Sequence, residues 1–120
     1  MISPALKGLH SPDVDLETFR PQDEPECFGF LLRAFFGPAG DLGSESFNMM
    51  VCTPSWYEQR LRDCGGILTG RHYLFVEGYD LEKTKRYINK YLRHCTGETW
   101  HEVAQKLDRL GRWEFEDYKP

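Results

Sequence analysis

The four histidines and four cysteines of this 120-residue sequence could serve as a general base, a nucleophile or a soft metal ligand: His10, His72, His94, His101, Cys27, Cys52, Cys64 and Cys95. Nucleophilic catalysis needs a thiol or hydroxyl beside a base, in a site that orients both. No local signature such as GxSxG brings such a pair together. His72 alternates in step with Leu74 and Val76, so a packed, hydrogen-bonded histidine is its default reading, and no catalytic residue is assigned. His94 and Cys95 are adjacent, with His101 further on. Yet Cys95 falls on the inner stripe of its helix, His94 does not, and His101 opens a different helix. Without a CxxC or HxxxH spacing there is no case for a closed tetrahedral centre, and no metal ligand is assigned. The run from Gly65 to Gly70 contains three glycines but precedes a strand. A phosphate cradle follows a strand and opens a helix with a lysine in register, so no cofactor is expected.

Carboxylates are the groups that folding does not obviously need. Asp13, Asp15, Glu17, Asp23, Glu24 and Glu26 fall in one stretch, and Glu114, Glu116 and Asp117 close the chain. Acid–base work by paired carboxylates requires burial or coupling that shifts one pKa. Exposed, repeated carboxylates instead suit a surface that meets a cationic partner, and these nine are the candidate partner-binding residues. Either cluster reads equally as an ordinary solvated face. Through Thr53 there are eight acidic residues against three basic, while from Pro54 onward twelve basic balance eleven acidic. The net charge of −4 therefore originates in the first half. That distribution argues against nucleic acid as the main partner and for a basic protein. Lys83, Arg86, Lys90 and Arg93 share the outer side of one helix and read as a solvated face.

The elements that must position these groups follow from periodicity. Ala5–His10 reads as a first strand, and Asp13–Glu26, with two prolines and no sustained period, as an exposed irregular loop that Phe19 pins to the body. Cys27–Phe36 and Glu45–Thr53 read as a long antiparallel hairpin around the turn residues Gly37–Ser44. Thr53-Pro54 has the form of an N-cap followed by proline in the first helical position. That helix carries Trp56, Tyr57 and Leu61 and stops before Gly65-Gly66. Gly70–Tyr79 reads as another strand, and Asp80 caps a helix over Leu81–His94. Thr99 and Glu102 form a capping box for a helix whose apolar stripe is Trp100, Val103, Ala104, Leu107 and Leu110, with Gly111 as a stop that tolerates positive φ. Trp113 and Phe115 then alternate with Glu114 and Glu116 as a final strand, apolar on one face and acidic on the other. Strands grouped early and helices late predict an α+β fold: an antiparallel sheet of about five strands with about three helices packed on one face.

Residues 1–120 are expected to form a single domain, since domains commonly run to about 100–150 residues. The composition is 40% hydrophobic and 28% charged, which supplies a core and an ordinary polar surface. No apolar run approaches the roughly 20 residues of a membrane-spanning helix, so no membrane association is expected. The first fifteen residues lack the basic start and apolar middle of a signal peptide. A cytoplasmic location is therefore expected, with the four cysteines as reduced, mostly buried thiols.

Four runs resemble the immunity protein 8 family of bacterial polymorphic toxin systems: HSPDVDLETFRPQDE from His10, ESFNMMVCTPSWYE from Glu45, GRHYLFVEGYDLEK from Gly70, and TGETWHEVAQKLDRLGRWEFEDY from Thr96 to Tyr118. The most specific pieces are Cys52–Trp56, Gly70–Asp80 and Gly111–Tyr118. The resemblance implies a small cytoplasmic antidote, without enzymatic activity, that binds a cognate toxin domain and blocks it. A basic nuclease is a toxin that an acidic inhibitor would suit, because the surface that engages phosphates is the one to be covered. Two other readings compete: a small hydrolase built on His72 or a cysteine, and a homo-oligomeric structural module.

Overall fold

Phe28, Phe30, Leu32, Ala34 and Phe36 occupy alternate positions, and alternate side chains of a strand share a face. In the computed structural model, which describes residues 1–23 and 25–117, all five are buried. The elements in order are β1 (Pro4–His10), β2 (Gly29–Pro38), β3 (Glu45–Cys52), α1 (Pro54–Asp63), β4 (Tyr73–Phe75), α2 (Leu81–Leu92), α3 (Trp100–Leu107) and β5 (Arg112–Trp113). Three helices and a five-stranded, mostly antiparallel sheet make this the expected α+β fold.

The hairpin of β2 and β3 forms the centre. Phe30, Leu32 and Ala34 lie opposite Val51, Met49 and Phe47, so both strands turn the same apolar face inward. Helices α2 and α3 bring Ile88, Leu92, Val103, Ala104 and Leu107 to that core. Their ends are satisfied locally. Asp80 Oδ1 accepts from the Lys83 N–H at 3.0 Å, and Thr99 Oγ1 from the Glu102 N–H at 3.2 Å. Glu102 reaches back as a capping box requires, but it takes the N–H of Glu98, one residue before the cap. Glu45 stitches the closing segment to β3: its Oε1 accepts from the indole N–H of both Trp100 and Trp113.

Helix α1 behaves differently. None of its residues is buried. It meets the sheet through Trp56, whose ring lies over Gly29, and through Tyr57, whose ring stands 5.0 Å edge-on to both Tyr73 and Phe75. Gly29, Tyr73 and Phe75 alternate with the core-facing side chains of their strands. The expected grouping of all three helices on one face is therefore not what these contacts show. Thr53 holds the N-cap position without capping; its hydroxyl is bonded to the backbone of Phe28 instead.

Three expectations about strands are corrected. The sheet is not wholly antiparallel, because β4 pairs with β3 in parallel; α1 lies between them, and a helical crossover returns the chain in the same direction. The strand expected over Gly70–Tyr79 is only three residues long, since His72 adopts φ 67° and breaks the extended run before Tyr73. The final strand ends at Trp113. The chain turns there, with the Glu116 N–H donating to the Trp113 carbonyl, so Phe115 does not continue an apolar strand face. Tyr118 lies outside the described residues.

Candidate functional site

The acidic loop is ordered by its own side chains. Strand β1 ends with His10 opposite Arg33, which leaves the Leu31 N–H beyond its reach. Asp13 Oδ2 accepts that proton at 2.8 Å and so extends the edge by one bond. Ser11 Oγ accepts from the N–H groups of Asp13 and Val14, and Asp15 Oδ1 from the Glu17 N–H. Phe19 inserts its ring among Phe28, Phe30 and Tyr79, with centroids 4.9–5.6 Å away. The Tyr79 hydroxyl donates to the Leu16 carbonyl, and Glu26 Oε2 accepts from the Tyr79 N–H at 3.2 Å.

These bonds sort the six candidate carboxylates of the first cluster. Asp13 and Glu26 anchor the loop to the backbone of β2 and of the segment after β4. Asp15, Glu17 and Asp23 are exposed. Glu24 lies outside the described residues. A groove of about 810 Å³ runs beside Asp15 and Glu17, with Lys7 and Lys85 on its other borders.

The three closing candidates do not form one row. Glu114 is tied to β3 twice: its N–H donates to the Ser46 carbonyl and its Oε1 accepts from the Ser46 N–H. Glu116 pairs with Arg71 and, at 3.2 Å, with Arg112. The hydrogen bond from Arg71, then the positive charges of Arg71 and Arg112, hold its carboxyl below the usual carboxylate range. Arg71 also bridges to Asp108 at 2.7 Å. Asp117 is exposed, with φ 62°. A cleft of about 400 Å³ separates this turn from His101 and Gln105 on α3.

His72 is half-buried, and its Nε2 lies 2.6 Å from the Asp108 carbonyl, matching the expectation of a packed, hydrogen-bonded ring. All four cysteines are free; Cys52 and Cys95 are buried, Cys27 is half-buried and Cys64 is exposed. Burial pushes the Cys52 thiol up to about 11 and raises that of Cys95. Among the described residues, no group of three or more His, Cys, Asp or Glu side chains is placed to hold a metal ion. No helix there is long and apolar enough to cross a membrane.

Sequence reasoning passed over the surface around β4. Phe75 is 49% exposed and Tyr87 50% exposed, and both border a groove of about 640 Å³ between β4 and α2. The signal was present: Phe75 and Glu77 alternate on the side of the strand away from Leu74 and Val76, and both are exposed.

Searches of curated proteins and of solved structures returned no match. The profile of the immunity protein 8 family matches residues 4–118, a span that takes in every element of the fold, the acidic loop and the closing turn. The chain belongs to the immunity protein 8 family.

Proposed function

We propose that this chain is a single-domain, non-catalytic inhibitor that neutralises its cognate toxin domain by stoichiometric binding in the cytoplasm of the cell that makes the toxin. Family membership gives an immunity protein and a toxin partner. The observation that carries the mode of action is the acidic loop. Asp13 and Phe19 tie its first part to the body and Glu26 ties its end, and Asp15, Glu17 and Asp23 are exposed between these ties. Little ordering entropy is then lost on binding, and opposite charge speeds encounter. A partner with a cationic surface fits, and a nuclease, whose substrate-binding face must engage phosphates, is the toxin class this favours. The same acidic face disfavours nucleic acid as a direct ligand and offers nothing to an anionic membrane. Binding is favoured over hydrolysis because His72 already spends its Nε2 on the Asp108 carbonyl and the buried Cys52 thiol is shifted away from its nucleophilic thiolate form.

The test is co-expression with the toxin domain encoded by the neighbouring gene. Growth should be rescued, and a catalytically inactivated toxin domain should co-purify in a stoichiometric complex. Failure of both rescue and complex formation overturns the proposal.

A further inference from the structure

The two ends of the sheet differ. At one end β1 carries an extra residue, Lys7, between the Leu6–Phe36 and Gly8–Phe35 pairs, and α2 lies against it. A bulge and a covering helix are the usual protections of a sheet edge. At the other end, where β5 also pairs with β3, β4 has β3 on one side and, among the described residues, no strand on the other. The Met50 N–H donates to the His72 carbonyl, and the Val76 N–H to the Cys52 carbonyl. By the alternation of a parallel ladder, Leu74 also faces β3, which turns the N–H and C=O groups of Tyr73 and Phe75 outward.

Beside this edge runs the groove between β4 and α2. Its borders combine three carboxylates, Glu26, Glu77 and Asp80, with one ammonium, Lys83, with Phe75, whose ring packs on Tyr57 and Tyr73, and with the half-exposed Tyr87. Carboxylates beside aromatic faces form a receptor for a Lys or Arg side chain, which gains from both the charge and the ring quadrupole. The groove also adjoins the acidic loop. Glu26, where the loop ends, borders the groove, and Tyr79 is bonded to both Glu26 and Leu16.

We propose that β4 and this groove dock an extended, cation-bearing segment of the toxin domain, which adds as a strand beside β4 and places a Lys or Arg side chain between Glu77 and Tyr87. Strand addition supplies affinity through main-chain bonds, and the side-chain pocket supplies specificity. This deepens the toxin-binding reading above and rests on it.

The experiment measures binding of the inactivated toxin domain from the neighbouring gene to the intact chain and to three variants. Glu77→Lys and Tyr87→Ala change exposed side chains and should keep the wild-type unfolding curve. Phe75→Pro removes an outward N–H from an edge position that tolerates proline. Each should weaken binding at least tenfold. A photo-cross-linker at position 87 should capture a toxin segment that contains Lys or Arg. Wild-type affinity in both Glu77→Lys and Tyr87→Ala overturns the docking surface while leaving the toxin-binding reading intact, because the unaltered chain still binds. Capture of a second copy of this chain, or of a segment without a cation, overturns the assigned occupant. No binding by the unaltered chain overturns the toxin-binding reading and this inference with it.

Discussion

Cys52 closes β3 with its side chain fully buried, and that burial lifts its thiol from 9.0 to about 11. A thiol with a higher pKa in the folded state than in the unfolded state holds its proton more firmly when folded. Its contribution is therefore complete below the unfolded value and is lost as the pH rises toward the folded one. The expected outcome is a denaturation midpoint that is flat near neutrality and falls between pH 9 and 11, with a shallower fall in Cys52→Ala. Equal slopes in the two proteins would place the alkaline loss elsewhere. The carboxylates teach a related lesson at the same scale. Nine of them are alike in the sequence, but Asp13, Glu26, Glu114 and Glu116 have each taken a distant backbone N–H or a guanidinium, whereas the Asp15 carboxylate accepts from the N–H of Glu17, just two residues on. Residue type made all nine equal candidates. Only the partners, up to 68 residues away for Glu114, separate those that hold the fold from those left to meet a partner.

At the scale of elements, the contact between α1 and the sheet rests on one missing side chain. A Cβ at Gly29 would stand 2.3 Å from the Trp56 ring, so Gly29→Ala must displace the indole and with it the docking of α1. Overpacking of this kind costs about 1–3 kcal/mol. By contrast, Gly43→Ala meets nothing within 4 Å and should stay within about 0.5 kcal/mol of wild type. Denaturant titration checks both, and Trp56→Ala should relieve most of the Gly29→Ala penalty if the clash is the cause. Elements held by local rules were readable in advance. The stripes of α2 and α3, their Asp80 and Thr99 caps, and the β2–β3 hairpin around its glycine turn all depend on neighbours a few residues apart. What was not readable depends on distant ones. The direction of β4 follows from where α1 lies. The early end of β5 goes with the pairing of Glu116 with Arg71, 45 positions back. Gly111 shows the same division: its φ is not positive, and its value lies in the close approach of Phe47 and Met49.

Across the whole molecule, the exposed carboxylates of the loop and the surface at β4 are distinct, and the distinction makes a kinetic claim. Asp15, Glu17 and Asp23 are solvated charges. In the proposed complex they would act on a cationic toxin before contact, within a Debye length of about 8 Å at physiological salt. The edge at β4 and the ring of Tyr87 would act only at contact, where desolvated anchors set how long a complex lasts. Reversing the three loop carboxylates to Lys should therefore lower the association rate about tenfold or more at low salt and flatten its dependence on ionic strength, with little change in dissociation. Glu77 belongs to both regimes, since it is charged and also borders the groove; Glu77→Gln should raise the dissociation rate more than it lowers association. Tyr87→Ala, which removes no charge, should act on dissociation alone. Stopped-flow association and surface-based dissociation measurements at two salt concentrations separate these effects. If the loop reversal leaves both the association rate and its salt dependence unchanged, the acidic loop is a solvated bystander. The interface must then draw its rate from elsewhere on the surface. If it slows association while Tyr87→Ala quickens dissociation, the two surfaces divide the work as their physics requires: one guides the toxin in, and the other keeps it there.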